Sequence, residues 1–324
     1  MKSVDLLHGL PDMMAATYDL VAQVPRGRVT TYGEVAKALG DVVASRFVGV
    51  AMSLNQDIVR VPCRRVVLSD GSVGGYTGGG PRKKIKLLRE EGVSVSGNKI
   101  VDFDKILFRD FVTERPLLKL RNRQRRLRKH LNTKGFRGRI SRIAGMDIAY
   151  EGDHAFAAMV VFDNDSGEEI ETYIIEGDAP FPYIPTYLAF REIPVVEPLM
   201  KYVGESTVLM YDGNGILHPE GFGIASQLGV VFGVPTVGVA KKLLCGEVSD
   251  HSGISTAIRM ERKIVGHAIS LDEGAKPVFV SPGHKVSPAQ AEGIARRFLR
   301  HRIPEPTRRA HIVAEAARRG TSNK

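Results

Sequence analysis

Twelve lysines and arginines stand between Arg115 and Arg142 with no aspartate or glutamate among them, and this run divides the chain into two halves of different patterning. Before it, apolar residues come in short helical stretches broken by glycine and proline. After it, they gather into strand-length runs separated by helical segments. At 324 residues the chain also exceeds the roughly 100–200 of one typical domain. Two domains are predicted, 1–110 and 111–324, the second beginning with a basic helix. The chain carries +10 in total, so the remainder nets −2 and the excess is one patch. A solvated helix face is usually mixed in sign, so a patch of one sign predicts contact with a polyanion.

No apolar run approaches the roughly 18–20 residues of a spanning helix. Met1 to Asp5 are polar, and Leu6-Leu7-His8-Gly9-Leu10 is too short for a secretory leader, so a cytoplasmic location without membrane partners is expected. No obligate protein partner is evident. Only Cys63 and Cys245 are present, which argues against a disulfide framework and a cysteine-rich zinc site. Cys245 is expected to be an inert, half-buried thiol. Cys63 differs because Arg64 and Arg65 adjoin it, and nearby cations favour the nucleophilic thiolate.

In the first half, helical spacing over 13–23 ends at Pro25-Arg26-Gly27. Thr31 and Glu34 have capping-box spacing, predicting a helix over 32–39 ended by Gly40, and Ser45 is placed to cap another over 45–54. Two short helices with a tight joint predict a helix-turn-helix unit. An extended approach to Cys63, a strand over 65–68, a turn at Ser69-Asp70-Gly71 and a helix over 83–91 follow, and this half closes near Phe108. The glycines from Gly74 to Gly80 do not make a dinucleotide loop, since no strand leads in and no acidic residue follows at ribose distance. A basic helix is predicted over 115–131, with Leu117, Leu118, Leu120, Leu127 and Leu131 packing on the second domain. The second half reads as α/β. Its strands fall over 142–150, 154–163, 169–176, 207–211, 236–240, 263–271 and 278–281, and its helices over 192–202, 222–232 and 288–300.

Arg26-Gly27-Arg28-Val29-Thr30-Thr31-Tyr32-Gly33, Val61-Pro62-Cys63-Arg64-Arg65 and Ser69-Asp70-Gly71-Ser72-Val73-Gly74-Gly75-Tyr76 occur in register. With them, residues 10–108 resemble the active-site domain of the O6-alkylguanine-DNA alkyltransferases. The resemblance implies a mainly helical, winged-helix-like DNA-binding domain. Cys63 would be the alkyl acceptor, Tyr32 the phosphate-side tyrosine, Arg46 the arginine that replaces the extruded base, and Asn55 the hinge. Tyr76 would line the pocket, as would Lys83 or Lys84. The family's helix-turn-helix enters the minor groove and flips the guanine toward the thiolate. Arg64 stands where the family has a histidine that relays a proton to a glutamate, here Glu90 or Glu91. An arginine cannot act as that base, so its fixed charge is expected to hold the thiolate.

Asp147 lies within an apolar run, where an ionised carboxylate is costly unless it is paired or bound to metal. Asp212 ends another such run, and Glu192 stands at the start of the 192–202 helix. Hard oxygen donors without cysteine favour Mg2+ or Mn2+ over zinc. Asp212-Gly213-Asn214-Gly215 reads equally as a turn, and Glu192 as a helix N-terminal charge. Ile143-Ala144-Gly145-Met146-Asp147, Pro182-Tyr183-Ile184-Pro185, Tyr211-Asp212-Gly213-Asn214-Gly215 and Ser281-Pro282-Gly283-His284 together resemble endonuclease V over about residues 112–318. That family is ribonuclease H-like. The resemblance makes Asp147, Glu192 and Asp212 the metal-binding carboxylates, His284 the active-site histidine, and Lys241 a lysine near the scissile phosphate. Tyr183 becomes a wedge at the lesion, and His218 either a site position or a loop histidine holding backbone.

Together these readings imply a bifunctional DNA-repair protein acting on O6-alkylguanine and deoxyinosine. Its alkyl transfer needs no cofactor, and its nuclease uses Mg2+ with Mn2+ as a substitute. Two other readings remain: the first half as a non-catalytic lesion reader that targets the nuclease, and the nuclease as an enzyme for inosine in RNA.

Overall fold

The structure is a computed structural model that describes residues 9–248 and 253–321. Met1 to His8, on which most of the leader reading rests, lie outside the described residues. Two compact units are present, one formed by Leu10–Asn122 with Phe181–Tyr187, the other by Arg123–Pro180 and Leu188 onward.

In the first unit, α1 (Met13–Ala22) is capped by Asp12, whose carboxylate accepts from the Ala15 amide. Helix α2 (Tyr32–Leu39) starts where the Thr31 hydroxyl accepts from the Glu34 amide, at 3.0 Å. Glu34 turns its own carboxylate to Lys37 instead of completing a box. Gly40 ends α2 at φ +109°, and a Cβ there would come 2.6 Å from the Leu118 amide. Glycine is therefore needed for conformation and for space. Asp41 caps a single 3-10 turn, Val42–Ala44, which leads into α3 (Ser45–Leu54). Ser45 does not cap α3 as expected; it is already helical, and its hydroxyl donates back to Val42 O.

Strand β1 (Thr30–Thr31) pairs in parallel with β2 (Val66–Val67), which fixes the segment after Cys63 against the entry to α2. Cys63–Arg65 is itself a 3-10 turn, so the expected strand over 65–68 shortens to two residues. Pro81 sits in the first turn of α4 (Gly80–Glu90), which begins three residues earlier than predicted. The hairpin β3 (Val95–Ser96) with β4 (Lys99–Ile100) and the short α5 (Phe103–Ile106) close a core of Val29, Val67, Val73, Leu88, Val93, Val95 and Ile100.

The basic helix α6 spans Pro116–Arg128, shorter than expected because Arg115 takes φ +50° and proline starts the first turn. Its Leu117, Leu120 and Leu127 are buried, whereas Leu118 is exposed.

The second unit is a mixed nine-stranded sheet with helices. The strands are β5 (Arg142–Glu151), β6 (His154–Asp163), β7 (Glu169–Asp178), β8 (Thr207–Asp212), β9 (Thr236–Ala240), β10 (Glu247–Val248), β11 (Ser255–Met260), β12 (Lys263–Ile269) and β13 (Val278–Pro282), in the order β10-β11-β12-β13-β9-β8-β5-β6-β7. β5, β8 and β9 run parallel, and every other pairing is antiparallel. β11 was not anticipated. Helix α7 spans Leu188–Val196 and continues as a 3-10 stretch, Glu197–Tyr202, so Glu192 lies mid-helix and not at a helix start. Helices α8 (Ile224–Phe232) and α9 (Pro288–Arg297) match their predicted positions, and Ser287 forms a complete capping box with Gln290. The long α10 (Glu305–Thr321) was not expected. It lies against β5 and β6, at a place where Gly145 lets backbones meet: a Cβ there would fall 2.0 Å from Pro306 carbonyl atoms.

Candidate active sites

In the first unit, Cys63 is 5% exposed and lines a cavity of about 350 Å3 with Tyr32, Gly49, Met52, Ser53, Gly75, Tyr76 and Thr77. Asn55 folds the approach to it, donating to Val61 O at 2.9 Å and accepting from the Asp57 amide. Burial raises the Tyr32 and Tyr76 hydroxyls, and the neighbouring Cys63 adds to both shifts. The buried Tyr76 hydroxyl has no hydrogen-bond partner among the described residues. Of the two candidate lysines the structure brings in Lys84, 1% exposed, which donates to Val66 O (2.7 Å) and Gly75 O (3.2 Å). Burial pulls its pKa down to about 8, with Cys63 opposing the shift. Arg46 is exposed in the first turn of α3, on a face shared with Val50 and Ser53.

Arg64 packs behind the cysteine turn. Its guanidinium is turned to Glu91 (Nε to Oε1, 2.7 Å) and to Ile58 O, while Arg65 grips the same carboxylate through two nitrogens at 2.8 Å each and also donates to Val24 O. Burial would raise Glu91, but the hydrogen bonds from Arg65 and Arg64 outweigh it and hold the carboxyl below its ordinary range. Two guanidiniums share this one carboxylate, so Glu91 offsets only one of their two charges. The residues retained from the relay form a structural clamp behind the cysteine turn, and Glu91, not Glu90, is its carboxylate.

In the second unit, parallel pairing of β5 with β8 sets Met146 opposite Tyr211, which brings Asp147 and Asp212 to neighbouring positions at one level of the sheet. Tyr211 donates to Glu192 Oε2 at 2.7 Å. Burial, then the Asp212 charge, pushes Asp147 up to about 6. Burial, with Asp147 and Asp212 adding to it, pushes Glu192 up to about 8. Lys241, just past β9, holds Asp212 Oδ2 at 2.6 Å. On the other side His311 of α10 places Nδ1 2.7 Å from Asp147 Oδ2.

His284 is elsewhere. Its backbone pairs with Thr236, its Nδ1 accepts from the Asn132 amide at 3.2 Å, and burial, then Lys285, lowers its pKa to about 4. The register sets Leu209 opposite Thr236 and Asp212 opposite Val239, so His284 lies three residues, roughly 10 Å, back along the strands from the carboxylates. It holds backbone, and the histidine at the carboxylates is His311. His218 likewise accepts from the Glu220 amide within its own loop.

Asp147 and Glu192 are raised by burial and by neighbouring carboxylate charge, and the hard oxygens of this cluster suit a hard cation. Among the described residues no three His, Cys, Asp or Glu side chains stand close enough to ligate one ion. Asp147 and Asp212, at neighbouring positions in the register, are the carboxylates that would hold such an ion.

Tyr183 is 60% exposed between buried Phe181 and Ile184, in a segment that belongs to the first unit. The basic run is less open than its sequence suggests. Arg121 is buried on Asp41, Arg125 lies 3.6 Å from Glu220, and Arg139 and Arg142 pair with Asp165 and Glu171. Among the described residues no helix is long and apolar enough to cross a membrane.

The profile of the Endonuclease V family matches residues 124–312, and that of the 6-O-methylguanine DNA methyltransferase DNA-binding domain matches 12–93. A bifunctional methyltransferase/endonuclease of Thermoplasma volcanium is 36% identical over 281 residues, 86% of this chain and 82% of its own. One of Picrophilus torridus is 34% identical over 308 residues, 95% of this chain and 97% of its own. The solved endonuclease V of Streptomyces avermitilis superposes with a TM-score of 0.57 at 34% identity, covering 62% of this chain and 92% of its own. A carboxylate-bearing endonuclease V domain and a cysteine-bearing alkyltransferase domain thus share one polypeptide. The chain belongs to the family of bifunctional methyltransferase/endonucleases.

Proposed function

We propose that this protein repairs DNA by two reactions, transfer of an alkyl group from O6-alkylguanine to Cys63 and cleavage at the second phosphodiester bond 3′ to deoxyinosine. The functional domains are 1–110, winged-helix-like, and 111–324, ribonuclease H-like. The observation that carries the reading is the convergence of Asp147, Asp212, Lys241 and His311 in one unit, while a buried cysteine faces a cavity in the other.

In the first reaction α3 enters the minor groove, Tyr32 bears on a phosphate, and Arg46 fills the space of the extruded guanine. The Cys63 sulfur attacks the alkyl carbon, the carbon–O6 bond breaks with its electron pair going to the oxygen, and the thiol proton ends on the guanine. A thioether and free guanine in DNA remain, so the protein acts once. Lys84, Tyr76 and Tyr32 are among the polar groups near the sulfur. Arg64 and Arg65, clamped on Glu91, hold the turn that presents it.

In the second reaction Tyr183 wedges into the duplex at the lesion. Asp147 and Asp212 are the carboxylates for a divalent cation, with Glu192 as the third, fixed by Tyr211. Mg2+, or Mn2+ in its place, would be held by these carboxylates and would supply an activated water and charge for the leaving oxygen. Lys241 neutralises Asp212 and reaches toward the phosphate, and His311 orients Asp147. The products carry 3′-hydroxyl and 5′-phosphate ends.

Asp147→Ala and Asp212→Ala are each expected to abolish nicking of a deoxyinosine duplex while binding to it persists. Retained nicking would remove the metal assignment. The same assay on matched DNA and RNA strands is expected to favour DNA, and equal or faster RNA cutting would reverse the substrate.

A further inference from the structure

The segment that bears the proposed wedge leaves the sheet of the second unit and packs within the first. Thr186, three residues after Tyr183, has φ +67°, a conformation that a β-branched residue adopts only under strain held by its surroundings. Here the holder is Arg121. One of its terminal nitrogens donates to Thr186 Oγ1 at 2.6 Å and to Asp41 Oδ2 at 2.9 Å, and its guanidinium lies 4.3 Å over the Tyr187 ring. The Tyr187 hydroxyl donates to the same Asp41 oxygen at 2.9 Å, with Leu117 O also within 3.2 Å. Arg121 and Tyr187 are 6% and 0% exposed. The other Asp41 oxygen caps the turn between α2 and α3 through the Val43 amide. The loop that carries Tyr183 is thus keyed to the helix-turn-helix turn in the half that carries Cys63.

We propose that Arg121 is a positioning residue for deoxyinosine cleavage: through Asp41, Thr186 and Tyr187 it holds the segment that aims Tyr183. The proposal rests on reading Tyr183 as the wedge. A wedge acts only if its backbone does not yield as the base pair opens, and rigid support of that kind commonly decides rate. The arrangement uses what distinguishes arginine from lysine, a flat guanidinium that stays bonded at its tip to Asp41 and Thr186 while its face covers the Tyr187 ring. Lysine at 121 would keep the charge that Asp41 requires but could not hold Thr186 and cover Tyr187 together.

The test uses the full chain with Arg121→Lys, Tyr187→Phe and Tyr183→Ala beside the wild type. The substrate is a duplex with one deoxyinosine flanked by 2-aminopurine, whose fluorescence rises when the base pair opens. Methyl transfer to Cys63 from a separate O6-methylguanine duplex is followed in parallel. Arg121→Lys and Tyr187→Phe are each expected to slow single-turnover nicking at saturating protein about tenfold or more, to lose the fluorescence rise, and to keep the wild-type rate of methyl transfer. Tyr187→Phe removes one hydroxyl and keeps the ring, so it guards against misfolding of the lysine variant. Wild-type nicking with a wild-type fluorescence rise in both variants would overturn the proposal. So would loss of methyl transfer in equal proportion, which marks Arg121 as a support of the whole unit. Normal nicking by Tyr183→Ala would sink the wedge reading itself. A defect in Tyr183→Ala alone would sink only the role given to Arg121.

Discussion

Asp147 and Glu192 hold their protons to higher pH than ordinary carboxylates, up to about 6 and about 8, because they are buried and crowded by like charge. Between the ordinary carboxylate range and those values the folded protein binds more protons than the unfolded chain, so stability falls as pH rises through that window. A divalent cation competes with these protons and reverses the loss. In EDTA the melting temperature should drop from pH 5 to pH 8, Mg2+ should restore it most at pH 8, and the double variant Asp147→Asn, Glu192→Gln should lose both effects. A flat profile without metal would contradict the crowding described. The adjacency of Asp147 and Asp212 follows from two strands whose apolar runs the sequence marks, whereas Lys241 was placed near them by the family resemblance alone. His311 was not legible, because its partner is 164 residues distant and its own segment carries little apolar pattern. The histidine of Ser281-Pro282-Gly283-His284 attracted the role on motif alone, and the backbone it supports was invisible in the sequence. Arg64 was read through the charge beside Cys63, whereas its position is decided by Glu91, 27 residues away.

Local chemistry made α2 readable, since a threonine cap and a left-handed glycine are signals carried by single residues. α3 was found with Ser45 as its cap and is instead led in by a turn that Asp41 caps. α10 carries its buried face on small residues, Ala310 and Ala314, among four arginines, so its helical period is faint. What seats it is Gly145, whose bare backbone lies against Pro306. Gly145→Ala forces these backbones apart and should cost about 1–3 kcal/mol or more, in the manner of overpacked cores. It should also draw His311 from Asp147. Nicking and the denaturation midpoint of the second unit are expected to fall together while methyl transfer to Cys63 persists. An alanine variant of wild-type stability would show that α10 can shift without penalty. The helix bearing Glu192 starts four residues before the predicted 192, with Ala189, Phe190 and Arg191 already buried helix.

For the whole molecule, the patterning changes across the basic run, the contact boundary falls inside it at Asn122/Arg123, and the run itself is less uniform than its charge. Part of it is occupied with intramolecular carboxylates, which leaves Arg126, Lys129, Lys134 and Arg137 exposed for a phosphate backbone. That the segment Phe181–Tyr187 belongs with residues far upstream could not be read from local pattern, since it depends on a buried cation meeting an aspartate 80 positions away. In this reading one polypeptide both accepts an alkyl group and cuts DNA, and Arg64 stands in place of a proton relay beside the acceptor. Intact-protein mass spectrometry after incubation with a duplex carrying one O6-methylguanine tests that reading most directly. The mass should rise by one methyl group, mapped to Cys63 and absent from Cys63→Ala. An unchanged mass with the duplex still bound would make the first half a reader of lesions and not a repairer.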